Sequence, residues 1–238
     1  MPCFRFQIPV KAKELRDEAV LKIFTGSNEP VFLLNQNGED VTDKGAAYSV
    51  QDYLTRIQKT GSATMIKLAK AAEDYGIAAQ LYFKYKHDGL TIPENVTAVT
   101  PGEMAVHAPK EQGTLPAGIT KSANSVLFQS DNTLRMYYFY KSGTALSKYT
   151  CTVDGKAGKI TNQPDSLRFY VQYPAIAAKN LDDVHTFAIT DSRSAYTYKI
   201  SAVGYAYKMV TTSKDPTMVD LAKALYLYNI AAVEHLGK

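Results

Sequence analysis

Tryptophan is absent from the chain and cysteine nearly so, with two in 238 residues. Two thiols supply neither a disulfide framework nor a multi-cysteine metal site. Cys3 and Cys151 each stand in a strand-like run, which reads as two buried thiols, a single bridge between them being the alternative. No window approaches the ~18 apolar residues of a membrane span, so no membrane insertion is expected. Basic runs are missing too: 27 Lys and Arg are interspersed with 23 Asp and Glu, for a net charge of +4. That pattern argues against a nucleic-acid partner. The opening Met-Pro-Cys-Phe-Arg lacks the charged start and apolar run of a signal peptide. Two explanations remain, a cytoplasmic protein or a fragment of a longer secreted chain with a start Met added, and the repeat described below favours the second.

Recognisable catalytic patterns are also missing. His87, His107, His185 and His235 are scattered and form no H-x-x-x-H or H-E-x-x-H pair, and no G-x-S-x-G, phosphate loop or G-x-G-x-x-G occurs. The expectation is therefore no catalytic residue, no metal site and no cofactor, hence not an enzyme. His235 ends a helical stripe and reads as partly buried or capping. Residues Asn35 to Asp40 space oxygen side chains as a calcium loop does, but Ala46 stands where the closing glutamate belongs. Asn37-Gly38 between apolar runs reads more simply as a hairpin turn. Asp182 and Asp183 are neighbours on an expected strand, so their carboxylates point apart into solvent.

What the chain has in excess is tyrosine, 17 against 9 Phe, a side chain suited to recognition surfaces and to half-wet sheet faces alike. It also repeats itself. Residues 66–83, IKLAKAAEDYGIAAQLYF, match residues 219–236, VDLAKALYLYNIAAVEHL, at eight of eighteen positions without gaps. Upstream, Val50 to Tyr53 aligns with Ala202 to Tyr205, each after a serine (Ser49, Ser201), and Phe4 to Phe24 aligns with Tyr170 to Thr190. Such self-similarity reads as duplication. Each copy ends in a helix with one apolar stripe at 3,4 spacing: Met65, Leu68, Ala72, Tyr75, Ala79, Tyr82 and Met218, Leu221, Leu225, Tyr228, Ala232, His235.

Alternation marks strands at Phe4–Val10, Leu167–Tyr173 and Tyr196–Ile200. A hairpin is expected from Ser125–Gln129 and Thr133–Lys141, turning at Asp131-Asn132, and another strand at Tyr149–Val153 ends in the turn pair Asp154-Gly155. The strands over 125–153 have no counterpart before residue 4. The fold class expected is α+β: two repeated units (1–87 and 122–238), each an antiparallel β-sheet followed by a packed helical hairpin. A linker containing Pro93, Pro101, Pro109 and Pro116 (88–121) joins them and drapes over the surface. The helix stripes are expected to pack on their own sheets.

At SVLFQSDNTLRMYYFY, YTCTVDGK, AYSVQDYL, SAVGYAYKMV and the two long helices, the chain resembles a family. It is similar to the duplicated α+β modules that recur, several per chain, in large secreted or wall-attached proteins of gut Firmicutes of Lachnospiraceae type. The resemblance implies an extracellular module cut from a larger bacterial surface protein. Some members are superantigen-like binders of immunoglobulin variable domains, and others stand beside carbohydrate-active or adhesion modules. No site residue follows from the resemblance.

The residues themselves point to one strand. Leu134, Met136, Tyr138 and Tyr140 share one side of it; Arg135, Tyr137, Phe139 and Lys141 share the other. One side faces the core, and the second is either covered structure or an aromatic patch flanked by cations, as hot spots are built. Arg168 and Tyr170 repeat the alternation on a later strand and extend the patch. The candidate partner-binding residues are thus Arg135, Tyr137, Phe139, Arg168 and Tyr170, and a free strand edge is a second candidate. The expected function is binding of a host protein such as an immunoglobulin Fab; the alternatives are a carbohydrate-binding or adhesion module, which the lack of Trp disfavours, and a structural spacer.

Overall fold

The computed structural model of the protein describes residues 8–35, 37–128 and 132–238. In chain order its elements are β1 (Ala19–Leu21), β2 (Ala46–Tyr48), α1 (Val50–Thr60), α2 (Ala63–Phe83), α3 (Glu94–Ala98) and α4 (Pro101–Met104). Then come β3 (Lys110–Gly113), β4 (Ile119–Leu127), β5 (Asn132–Tyr140), β6 (Thr150–Val153), β7 (Lys156–Ala157) and β8 (Thr161–Gln163). The chain finishes with β9 (Arg168–Ile176), β10 (His185–Thr190), β11 (Ala195–Ile200), α5 (Ala202–Thr212) and α6 (Pro216–Leu236). The class is α+β, and the sheets are antiparallel.

Period-two burial builds the centre. On β5, Leu134, Met136, Tyr138 and Tyr140 are buried while the residues between them are only partly so. β5 lies inside a four-stranded sheet ordered β4-β5-β9-β8, facing a five-stranded sheet ordered β3-β11-β10-β6-β7. Aromatic rings fill the space between them: Phe169 packs near Tyr138, Tyr140 and Tyr149, and Tyr173 stacks on His185 at 3.6 Å. His185, otherwise buried, places Nδ1 2.8 Å from Asp154 Oδ2. Cys151 is a free buried thiol on β6, and burial pushes its pKa up to about 12; Cys3 lies outside the described residues.

The helices correspond in pairs. α1 and α5 have 11 residues each, α2 and α6 have 21. Ser49 Oγ caps α1 by accepting from the Asp52 amide, and Ser201 Oγ caps α5 by accepting from Gly204. A short 3₁₀ turn precedes each pair, at Ala12–Glu14 and at Ala178–Asn180. The first turn of each shorter helix donates back to it in the same way, Gln51 N to Leu15 O and Val203 N to Leu181 O, both 2.9 Å or less. α2 and α6 run antiparallel: Thr64 Oγ1 meets His235 Nδ1 at 2.9 Å, Lys67 pairs with Glu234, and Tyr75 stacks on Tyr228 with centroids 5.4 Å apart. His235 is thus partly buried and hydrogen-bonded, as its position at the end of the stripe implies.

Several expectations change. Among the described residues the sheets number three rather than two, and those of the first half form the two-stranded β1–β2 pair. Of the strand expected at Phe4–Val10, residues 4–7 lie outside the described residues and 8–10 are not in a strand. The expected turn residue Asp131 also lies outside them, while Asn132 already belongs to β5. The linker of 88–121 is largely built into the fold: it carries α3, α4, β3 and the start of β4, and it buries Val96, Val99 and Met104. Its prolines misled because two of them start helices, Pro93 capping α3 and Pro101 opening α4. The long helices pack chiefly on each other rather than on their own sheets, and Ala71 and Ala231 line one cleft between them. Tyr75, Ala78 and Ala79 belong to the same core as the two large sheets. Asp182 and Asp183 converge instead of diverging, since both accept from Lys238 Nζ, at 2.6 and 3.3 Å; they sit in a turn, where strand alternation does not apply. At Asn35 the chain reverses as a hairpin, with Leu34 bridged to Asp40 and Gly38 at φ +81°.

Candidate functional site

Because β5 turns its even-numbered residues inward, its odd-numbered ones form the outer face of the four-stranded sheet. Register then places every neighbour. Arg135 lies opposite Ser125 and Gln172; Tyr137 lies between Ala123 and Tyr170; Phe139 lies between Lys121 and Arg168. β8 completes two of the rows, with Thr161 beside Tyr170 and Gln163 beside Arg168. The five residues singled out from sequence, Arg135, Tyr137, Phe139, Arg168 and Tyr170, therefore share one surface. All five are half-buried among themselves, with Lys121 and Gln172 exposed at the margins.

The rings of this surface do not lie bare. Arg135 Cζ sits 4.2 Å above the centroid of Tyr170, Arg168 Cζ 4.9 Å above Tyr137, and Lys121 Nζ 4.4 Å above Phe139. The two arginines reach diagonally from opposite ends toward one tyrosine pair, whose centroids are 5.5 Å apart. Diagonal contacts of this length are within reach of long side chains on adjacent strands. Cation–ring contacts at exposed sites contribute about 0.5–1 kcal/mol each, which biases the cations toward positions over the rings. Each guanidinium is fixed a second time: Arg135 Nε donates to Gln172 Oε1 at 3.0 Å, and Arg168 Nε to Gln163 Oε1 at 2.7 Å. Among the described residues, no carboxylate lies within ion-pair distance of Lys121, Arg135 or Arg168.

Sequence reasoning missed Lys121, Gln163 and Gln172 as members of the surface. Lys121 falls at the end of the proline-containing segment that reads as a linker, and β8 is only three residues long, too short for alternation to announce it. Gln172 was legible, since it continues the alternation of Arg168 and Tyr170. Beside β4 lies a cleft of about 440 Å³ lined by Lys13, Phe83, Ser125, Phe128, Tyr205 and Met218, where Lys13 Nζ stands 5.5 Å from the Phe83 ring.

Strand edges are the second candidate. Among the described residues, the edges are β3 and β7 of one sheet and β4 and β8 of the other. β3 and the start of β4 border a shared cleft of about 730 Å³. Tyr196 ties the two strands together, donating to Glu111 Oε2 at 2.8 Å and sharing a 3.0 Å hydrogen bond with Ser122. Burial foremost raises the Tyr196 pKa to about 12. Gly113 closes β3 at φ +87°, where a Cβ would stand 2.1 Å from Ala195 O, so only glycine fits that turn.

Among the described residues, no three His, Cys, Asp or Glu side chains gather as metal ligands would, and no helix is long and apolar enough to cross a membrane. Compared with family models, with curated proteins and with solved structures, the chain finds no match.

Proposed function

We propose that the chain is a non-catalytic binding module of a bacterial surface protein that docks a host protein, such as an immunoglobulin variable domain, on the outer face of its four-stranded sheet. The observation that carries the reading is the convergence of Arg135, Tyr137, Phe139, Arg168 and Tyr170 on one accessible surface, with their cations unpaired among the described residues. Aromatic and arginine residues dominate binding energy at protein interfaces. A sugar-stacking function is less well served, because each ring whose face would receive a sugar already has a cation above it.

The same proposal takes the chain as two copies of one unit, each a turn, two strands and an 11- plus 21-residue helix pair. Support comes from the shared caps and from the repeat-equivalent Tyr75 and Tyr228 stacking on one another. The second copy then carries β4, β5 and β8 as its addition, and the binding face spans that addition and β9, whose residues from Tyr170 onward align with Phe4 onward. The extracellular setting rests on the resemblance of the motifs to surface-protein modules.

Biolayer interferometry against pooled human IgA and IgG, and against their separated Fab and Fc fragments, tests the reading. Saturable Fab binding that Tyr137→Ala or Tyr170→Ala weakens at least tenfold is expected. Absence of binding to every fraction refutes the immunoglobulin form of the proposal.

A further inference from the structure

We infer that Arg135 and Arg168 form a paired carboxylate receptor, so that the outer face recognises an acidic protein segment. Three features combine. First, each guanidinium is held over a tyrosine ring, with Cζ 4.2 and 4.9 Å from the centroids, and anchored at Nε by a glutamine oxygen. Second, that anchoring leaves the terminal nitrogens, the two-pronged end of each guanidinium, without a hydrogen-bond partner among the described residues. A planar fork with its orientation fixed and its prongs free is the geometry that takes a carboxylate with two parallel bonds. Third, the rows across this face read Ser125-Arg135-Gln172, Ala123-Tyr137-Tyr170-Thr161 and Lys121-Phe139-Arg168-Gln163, with three cations and no acid.

The occupant follows from the layout. The two forks flank a single Tyr137–Tyr170 pair; of the positions around them Ser125, Gln163 and Gln172 are neutral, and Lys121 over Phe139 is the one further base in these rows. A long sulfated polysaccharide is held by an extended basic track, whereas two forks around one aromatic pair match a compact segment bearing neighbouring Asp or Glu side chains. The tyrosine hydroxyls and glutamine amides around the forks supply the neutral polar contacts of such an interface. This inference rests on the reading of the face as a protein-binding surface and names the chemistry of the partner.

Fluorescence anisotropy with a fluorescein-labelled hexaglutamate peptide at 50 mM salt, using the full chain, tests it. Saturable binding is expected. Arg135→Lys and Arg168→Lys, which keep the charge and lose the fork, should each weaken it about tenfold, whereas Lys156→Ala on β7 should change it less than twofold. Unchanged circular dichroism melts establish that the variants fold. No peptide binding, or lysine variants equal to the parent chain, overturns the paired receptor. A heparin oligosaccharide binding tenfold more tightly than the peptide overturns the choice of an acidic protein segment. Fab binding measured with the same lysine variants separates the two readings: Fab affinity that survives them while Tyr137→Ala abolishes it leaves the docking face standing and removes only the carboxylate receptor.

Discussion

Replacing Tyr75 by alanine puts the single-core architecture to the test. Tyr75 sits midway along α2, 6% exposed, stacked on Tyr228 of α6 with 12° between the rings and edge-on to Phe128 at 6.4 Å. Its hydroxyl donates to Asn132 Oδ1 at 3.4 Å, a long bond that adds little. Truncating a buried aromatic residue costs about 3–5 kcal/mol, a range that includes the two ring contacts at roughly 0.5–1.5 kcal/mol each. About 4 kcal/mol is expected, and for a chain of this size each kcal/mol lowers Tm by roughly 2–4 °C, giving a fall of roughly 8–16 °C. Tyr75→Phe, which keeps the rings stacked, should cost about 1 kcal/mol or less. Differential scanning calorimetry should show one transition before and after the change, with far-ultraviolet dichroism and tyrosine fluorescence moving together. Two separate transitions, or a Tm fall below about 3 °C, would falsify the claim that the helix pairs and the facing sheets share a core.

Two further outcomes are expected. Cys151, its thiol neutral because burial holds its pKa near 12, should escape iodoacetamide at pH 8.5 in the native chain and react in guanidinium; peptide mass spectrometry showing native labelling within minutes would contradict this. Asp74 is buried between α2 and α3 with the Asn95 amide 2.7 Å away, and desolvation raises its pKa above 3.8. The folded chain thus holds that proton more tightly than the unfolded one, so its contribution makes stability fall as pH climbs from 3.8 through the raised value. Asp74→Asn should lose that fall, the difference from the parent growing between acidic and neutral pH in urea titrations; an equal difference at pH 4 and pH 7 would count against it.

How much of this was legible depends on which interactions write themselves into local pattern. Strand alternation is local, so Leu134, Met136, Tyr138 and Tyr140 could be separated from Arg135, Tyr137 and Phe139 by counting alone, and the sides fall where the count put them. Helix caps are local as well: Ser49, Ser201 and Asp215 each stand directly before a helix and accept a hydrogen bond from an amide of its first turn. Sheet membership is not local. β3 pairs with β11 across more than eighty residues, and its four exposed residues, Lys110 to Gly113, show no alternation of burial, so the segment read as linker. The packing of α2 on α6 was hidden for a related reason. A single apolar stripe suggests one partner, and small residues such as Gly76, Ala78, Ala79, Ala231 and Ala232 permit close helix approach without naming the helix that approaches; Ala69, Ala71 and Ala78 bury further sides of α2.

The outer face itself shows why its five residues were foreseeable and its chemistry was not. Alternation assigns Arg135 and Tyr137 to one side of a strand, but whether the arginine salts out against an acid, leans on a ring or faces water depends on the register of the next strand. Here the register sets Tyr137 against Tyr170 and leaves each arginine diagonal to the opposite tyrosine. A shift of one residue would turn Arg168 and Tyr170 to the core side and leave Phe169 outside, destroying both the face and the aromatic packing around Phe169. Burial of Phe169 and Val171 therefore excludes the one-residue slip, and the observed register sets the arginine–tyrosine pairs. The core side of β9 thus determines the arrangement of the outer side. It follows that core substitutions which preserve volume should leave the proposed Fab binding, read by interferometry, intact, whereas any change that lets β9 slip should abolish it even with every outer residue in place.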